Sequence, residues 1–384
     1  METLPFVFGK IAETHNFTDR EKECEHLEQN FFSLVNTMIV SPRRWGKSSL
    51  VKKTAQQITS ENKDIKVCML DIFNVRSESE FYEYLAQSLI KTTSNRWEDW
   101  VENAKLFLAH LLPKISFSPD NQAEISFSVE WSEWRKKADE ILDLAENIAK
   151  EKKIKIVVCI DEFQSIGNFE DTLAFQRKLR SHWQHHQNVA YCLYGSKRHI
   201  LLDIFSNAEM PFYKFGDIIF LEKIDNKTWG QFIENRFANT GKKIEINQAE
   251  YLAMLVDNHS YYVQQLAQQA WLRSQSECSI SIINDSLQNI KNQLSLLFVG
   301  LVETLTSTQL YFLKAIMDGV TVFGQKNINK YHLGTSANII RIKNALLSKE
   351  IIDITNKKIE IQDPIFKLWL KEDYFKQNNS CKFV

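Results

Sequence analysis

The sequence predicts an α/β fold: a parallel sheet covered by helices on both faces, followed by an all-helical segment and a small helix–hairpin unit. Three observations predict it. Five apolar runs, at 36–40, 65–75, 153–166, 188–199 and 216–224, alternate with helical patterns. Strands that alternate with helices imply parallel βαβ units. The runs are nearly continuous rather than alternating, as strands buried on both faces require. After about residue 225 such runs stop and amphipathic helical patterns take over.

Length and composition set the frame. A chain of 384 residues is too long for one typical core and implies two or three domains. The predicted division is 1–225 for the α/β part, 226–295 for a helical domain and 296–384 for the last unit. With 44% hydrophobic and 25% charged residues, the composition is that of an ordinary globular protein. A net charge of -1 excludes a global basic field that would steer the chain onto nucleic acid, and leaves only a local patch open. No pair of the six Cys has CxxC spacing, which argues against zinc. Cys68, Cys159 and Cys192 lie inside apolar runs and read as buried free thiols. No window offers about 18 uncharged apolar residues, and the first residues, METLPFVFGKIAET, lack a basic segment followed by a long apolar one. The expectation is a reducing, cytoplasmic compartment and no membrane partner.

In chain order, 17–35 reads as an amphipathic helix capped by Thr18 or Asp19, with Glu21 closing a capping box. Leu27, Phe31, Leu34 and Val35 make its apolar face. The strand at 36–40 precedes a helix at 47–59 whose inner face is Leu50, Val51, Ala55 and Ile58. Helices follow at about 78–91 and around Trp97 and Trp100. Residues 113–130 carry two period-two runs around a Pro-Asp-Asn turn, a β-hairpin inserted on the core, with Trp131 and Trp134 close behind. Those aromatics could mark a partner surface or pack the hairpin onto the core. Further helices are expected at 132–151 and 171–186. The last unit reads as helices at 306–318, 327–333 and 335–349, then two strands around an Asn-Lys-Lys turn, which is a winged-helix pattern.

The chemistry starts at SPRRWGKS, residues 41–48, which meets the phosphate-loop pattern G-x-x-x-x-G-K-[ST] between a strand and a helix, except that Ser41 replaces the first Gly. Gly46 lets backbone approach phosphate oxygens, and N–H groups at the helix start supply anion donors. Lys47 can reach the β- and γ-phosphates, and Ser48 can ligate Mg²⁺. A second strand, IVVCIDEF, places Asp161 and Glu162 directly after its apolar run. A phosphate-loop ATPase needs one acid for Mg²⁺ and often a second to orient water, and these are the candidates. Ser196 ends a further strand in LYGSKRH, where it could sense the γ-phosphate or form a plain turn with Gly195. Arg177, Arg180, Lys197 and Arg198 are candidate charge stabilisers or solvated helix charges.

These stretches resemble the AAA+-related, STAND-type P-loop ATPases of prokaryotes, the archaeal-type ATPase group. NFTDREKECEHLEQ resembles the helix that precedes that group's phosphate loop, and SPRRWGKSSLV its Walker A form. VVCIDEFQSI resembles the Walker B form ending D-E-F-Q. The stretch from LYGSKRH to LEKI resembles the sensor-1 region, and IQDPIFKLWL the end of the group's winged-helix domain. The resemblance spans nearly the whole chain and implies an AAA+-like P-loop core, then a helical lid, then a winged helix. It implies ATP and Mg²⁺ as cofactors. Ser48 and Asp161 would hold the metal, and Lys47, Glu162 and Ser196 would serve catalysis. Ser41, Pro42, Arg43, Arg44, Trp45, Gly46, Lys47, Ser48 and Ser49 would cradle the nucleotide, with Phe17 and Arg20 near the base. Four departures stand out. Asp19 replaces a Gly, Ser41 replaces a Gly, and Lys214 sits where an Arg often does. Asn258-His259-Ser260-Tyr261-Tyr262 replaces the group's G-x-P-Y-Y at the start of a lid helix.

The expected function is an ATP-driven switch that closes its lid and winged helix on nucleotide and changes assembly state, with a second copy or a protein effector as partner. The alternative is an ATP-regulated DNA-binding protein. Its recognition helix would be 335–349, with Ile339, Ile340, Ile342, Leu346 and Leu347 facing in. Arg341, Lys343, Lys349, Lys357 and Lys358 would serve phosphate contact, and Asn338 and Asn344 base contact. A third option is an ATP-binding scaffold without turnover, if Ser41 distorts the loop.

Overall fold

A computed structural model describes residues 4–11, 17–94, 99, 102–103, 106–107, 137–355 and 358–376. The hairpin expected at 113–130, Trp97, Trp100, Trp131, Trp134 and Cys381 lie outside these residues. The chain divides into two compact units, one of 20–221 and one of 1–19 with 222–384.

In the first unit the five expected strands form one sheet: β1 (Thr37–Val40), β2 (Ile65–Asp71), β3 (Lys155–Asp161), β4 (Val189–Gly195) and β5 (Asp217–Phe220). Their order is β2-β3-β4-β1-β5, and each pairing is parallel. β4 thus separates the phosphate-loop strand from the acid-bearing strand. Val40 sits in register with Gly195, and Ile160 with Leu193. All strands point the same way, so Ser41, Asp161, Glu162 and Ser196 emerge at one sheet edge.

Helices α1 (Glu21–Phe32), α2 (Lys47–Glu61), α3 (Glu78–Thr92), α4 (Ala138–Leu142), α5 (Leu144–Lys152), α6 (Thr172–Trp183) and α7 (Arg198–Ser206) belong to the same unit. Its core joins Met38, Val158, Ile160 and Leu193 of the sheet to Leu85 and Leu89 of α3, Ile148 of α5, Leu179 of α6 and Leu201 of α7.

Several expectations are corrected. α1 starts at Glu21, and its N-cap is Arg20 in the left-handed region (φ 80°), without a side-chain cap, so no Thr18–Glu21 box forms. Asp19 is left-handed too (φ 56°), and two such residues in a row turn the chain before the helix. The helix stops at Phe32 because Leu34 turns left-handed, which leaves Val35 exposed rather than on the apolar face. The expected helix at 132–151 is interrupted at Asp143 between α4 and α5. The fifth strand ends at Phe220 instead of 224. The run expected at 188–199 ends as a strand at Gly195, and α7 takes over from Arg198, where Leu201, Ile204 and Phe205 have helical spacing and are all buried.

The second unit contains α8 (Asn226–Ala238), α9 (Ile246–Leu255), α10 (Ser260–Arg273), α11 (Ile280–Glu303), α12 (Ser307–Met317), α13 (Gln325–Lys330) and α14 (Ser336–Ser348). An antiparallel pair, β6 (Ile352–Thr355) and β7 (Lys358–Ile361), precedes α15 (Pro364–Trp369). The 24-residue α11 runs straight through the predicted boundary at 295/296. One core holds Phe6, Ile233, Leu266, Ile290, Phe312, Leu346 and Phe366 together. On α14, Ile339, Ile342, Leu346 and Leu347 face in as expected, but Ile340 is 48% exposed. Residues two apart on a helix lie about 160° apart around its axis, so Ile340 and Ile342 cannot both point inward. No helix among the described residues is long and apolar enough to cross a membrane.

A candidate nucleotide site at the sheet edge

The loop after β1 has the conformation a phosphate cradle needs. Gly46 is the N-cap of α2 at φ 95°, a region that a side chain would strain, and the space beside its Cα is open. Arg44 is left-handed as well, at φ 62°. Ser41 is fully buried, and its φ lies outside the left-handed region, so Ser in place of Gly adds no backbone strain there. The first-turn N–H groups of α2 have no intrahelical acceptor.

Lys47 opens α2 and is only 6% exposed. A cation at a helix N-terminus opposes the helix dipole, and a buried one needs acceptors. It finds Pro42 O at 2.7 Å, Ser41 O at 3.1 Å and Ser41 Oγ at 3.4 Å. The placement is unfavourable for a helix alone and apt for an anion at the same end. Of the other loop residues, Pro42 and Ser49 are buried, Arg43 and Arg44 are exposed, and Trp45 is half-buried.

The acid pair closes on the loop. Ser48 donates to Asp161 Oδ2 at 2.7 Å. Burial holds the Asp161 carboxyl above its ordinary range, against the Ser48 and Glu162 N–H hydrogen bonds, which lower it. Cis oxygens around an octahedral Mg²⁺ lie about 2.9 Å apart, given bonds near 2.05 Å. The Ser48–Asp161 oxygen pair is near that separation, so the two residues fit the metal the fold implies.

Glu162 follows β3 in the left-handed region (φ 55°) as the chain turns into the 3₁₀ helix Phe163–Asn168. For a non-glycine residue that backbone is uncommon, and such strain concentrates at functional sites. Ser196 Oγ donates to Glu162 Oε2 at 2.9 Å, and Gln164 Nε2 donates to the same oxygen. The structure therefore places Ser196 on the catalytic candidate itself. Gln164 stands in the D-E-F-Q ending, but the sequence assigns it no role; its contacts do.

Other candidates fall elsewhere. The Arg180 guanidinium stacks on Phe215 at 4.7 Å, and Arg177 is exposed on the same helix. Lys214 is left-handed with its Nζ over the Tyr213 ring. Arg20 is buried and donates to Glu23 at 2.7 Å. Phe17 is half-buried. In the second unit, Tyr262 of α10 donates to Asp363, the N-cap of α15.

A phosphate loop, an acid pair on the next strand but one, and a polar residue on the strand between make up a P-loop nucleoside-triphosphatase core with an AAA+-like fold. Comparison with known proteins agrees. Residues 17–203 match the model of an ATPase domain predominantly from Archaea, and residues 296–372 that of a probable winged helix domain. The chain carries an archaeal-type ATPase domain followed by a C-terminal winged helix. Among solved structures it is similar to the Walker-type ATPase PABY2304 of Pyrococcus abyssi, at 17% identity and TM-score 0.67, covering 96% of this chain and 100% of that one. It is also similar to the Aeropyrum pernix ORC2 protein in its ADPNP–ADP complexes, at 13% identity and TM-score 0.58, covering 98% and 99%. No curated protein matches the sequence.

Proposed function

We propose that the protein is a Mg²⁺-dependent ATPase that works as a switch, its nucleotide state setting conformation, assembly or partner binding. The observation that carries this is the convergence of Lys47, Ser48, Asp161, Glu162 and Ser196 at one edge of β1, β4 and β3. ATP would lay its phosphates over the loop 41–49. The Lys47 ammonium would exchange Pro42 O and Ser41 O for β- and γ-phosphate oxygens. Ser48 and Asp161 would hold Mg²⁺, which supplies charge neutralisation on the phosphates. Glu162 would orient a water for attack on the γ-phosphorus. The β–γ bridging P–O bond breaks, and the water proton leaves through the carboxylate. Phe17 and Arg20 are proposed for the base side. The helical lid, 226–295, and the winged helix, 296–384, are proposed as the parts that respond to nucleotide state.

DNA binding through the winged helix draws less support. Lys349 donates to Thr304 O at 2.7 Å, and Lys358 pairs with Glu360 at 3.0 Å. Asn338 donates to Leu333 O and accepts from Arg341, so it is engaged within the domain.

The test is ATP hydrolysis by the purified protein with Mg²⁺, beside Lys47→Ala and Glu162→Gln, each with and without DNA. Gel filtration with and without ATP reads assembly. Turnover lost in both variants supports the ATPase, and a nucleotide-dependent elution volume supports the switch. ATP bound but not hydrolysed by the wild type would leave a scaffold. DNA stimulation that disappears with Lys343→Ala would favour the DNA reading.

A further inference from the structure

Glu162 is held by two side chains from different elements. Ser196 Oγ comes from the tip of β4, and Gln164 Nε2 from the turn after β3. Both donate to Oε2, and among the described residues no hydrogen bond reaches Oε1. The backbone is fixed on both sides as well. Glu162 N–H donates to Asp161 Oδ1 at 2.8 Å, and Ser165 N–H donates to Glu162 O at 2.8 Å.

Gln164 is unusual for its surroundings. It is 6% exposed, and its Oε1 is buried with no hydrogen-bond partner among the described residues. An unmet buried amide oxygen is unfavourable, and an apolar side chain of that size would avoid the penalty. The neighbouring strand is shaped to admit it. A Cβ on Gly195 would lie 1.9 Å from Gln164 Oε1 and 3.2 Å from Glu162 Cα. Gly195 has no left-handed φ, so what it supplies is space, not conformational freedom.

We propose that Gln164 is a positioning residue for ATP hydrolysis: with Ser196 it anchors Glu162 Oε2, and so leaves Oε1 as the oxygen presented to the attacking water. This rests on the ATPase reading above. A carboxylate with one oxygen pinned loses rotational freedom about its terminal torsion, and orientation of the second oxygen is set before water arrives. Gly195 is part of the device, because any side chain there would push the amide off Glu162.

The experiment compares steady-state ATPase kinetics and ATP affinity, by calorimetry, for wild type, Glu162→Gln, Gln164→Leu, Gln164→Ala, Gly195→Ala and the double variant Gln164→Ala/Gly195→Ala. Thermal melts accompany each, and Gln164→Met replaces the Leu variant if that one unfolds. The expected result is a kcat about 10- to 100-fold lower for Gln164→Leu and for Gly195→Ala, with ATP affinity unchanged. The double variant should be far less slow than the product of the two single effects, because the methyl group's severe clash is with the amide, and what remains once the amide is gone is the 3.2 Å approach to Glu162 Cα. A Gln164→Leu protein with wild-type kcat, or one that loses ATP affinity at constant kcat, would overturn the proposal while the ATPase reading stands. Full additivity in the double variant would overturn the Gly195 part. Wild type without turnover would overturn the ATPase reading, and the role of Gln164 with it.

Discussion

Ser48 Oγ lies 2.7 Å from Asp161 Oδ2, although 113 residues separate the two in the chain. Burial raises the Asp161 carboxyl above its ordinary value of 3.8, so the folded state binds this proton more tightly than the unfolded state. Stability from this group is therefore present at acidic pH and declines as pH rises through the raised value. Burial makes the ionised carboxylate the costly form, and a bound cation relieves that cost. Asp161→Asn should raise the melting temperature without Mg²⁺ and abolish the extra stabilisation that Mg²⁺ adds to ATP. Melts in EDTA and in Mg²⁺, each with ATP, read both effects. A variant that keeps the Mg²⁺ increment would remove Asp161 from the metal site.

Lys47 makes its contacts through one ammonium at the start of α2. Charge-assisted hydrogen bonds are worth about 1.5–3 kcal/mol each. Lys47→Ala should weaken ATP binding by about 2–3 kcal/mol, roughly 30- to 150-fold. Titration calorimetry with a non-hydrolysable analogue measures it, and unchanged affinity would contradict the loop assignment.

Gly216 lies against backbone. A Cβ there would sit 2.0 Å from Asn36 O, which accepts from Asp217 N at 2.8 Å, while Asn36 Oδ1 accepts from Tyr191 N at 2.9 Å. Backbone cannot yield as a side chain can. Gly216→Ala should destabilise the α/β unit by about 1–3 kcal/mol in urea unfolding. A loss below a few tenths would mean that the β1–β5 edge is softer than its geometry suggests.

His186 is buried between Asp143 Oδ1, at 3.1 Å, and the Tyr191 hydroxyl, at 2.9 Å. Burial lowers its proton affinity below the ordinary 6.5, against Asp143 and Glu146, which raise it, and together with His182, which lowers it further. The unfolded state then binds the proton first. Stability is full above about pH 6.5 and falls as the pH drops from there toward the depressed value. Melting temperature measured from pH 7.5 to 5 should fall, and His186→Gln should flatten that slope.

Asp363 ties two elements of the second unit. Its Oδ1 accepts from Ile365 N and Phe366 N, both at 2.9 Å, and its Oδ2 from the Tyr262 hydroxyl. Asp363→Ala loses the cap and the link together and should cost about 1–3 kcal/mol. Tyr262→Phe loses the link alone, about 1 kcal/mol. Guanidinium unfolding that ranks the two the other way would show that the cap contributes little.

Much of the site was legible because its signals are local. SPRRWGKS is a turn between an apolar run and a helix, and the pair Asp161-Glu162 directly follows an apolar run. Those patterns need only backbone periodicity and turn chemistry. What failed was also local, but ambiguous. Thr18 offers a cap that the left-handed Asp19 and Arg20 bypass, and KRHILLDIFS continues a strand-like run into a helix. Three isoleucines at 339, 340 and 342 cannot be assigned to one face without knowing the phase of the helix.

The sequence by itself determined the five strands of the α/β part, most of its described helices, the phosphate loop, the acid pair and the helix–hairpin ending, since each is written in periodicity over a few neighbouring residues. Only the tertiary structure decided that β4 lies between β1 and β3, and hence that Ser196 and Gln164 meet on one oxygen of Glu162 while Gly195 leaves room for the Gln164 amide. Strand order depends on which apolar faces pair across long loops. No residue within those loops encodes that choice, because the free energy that makes it comes from burying the whole sheet at once.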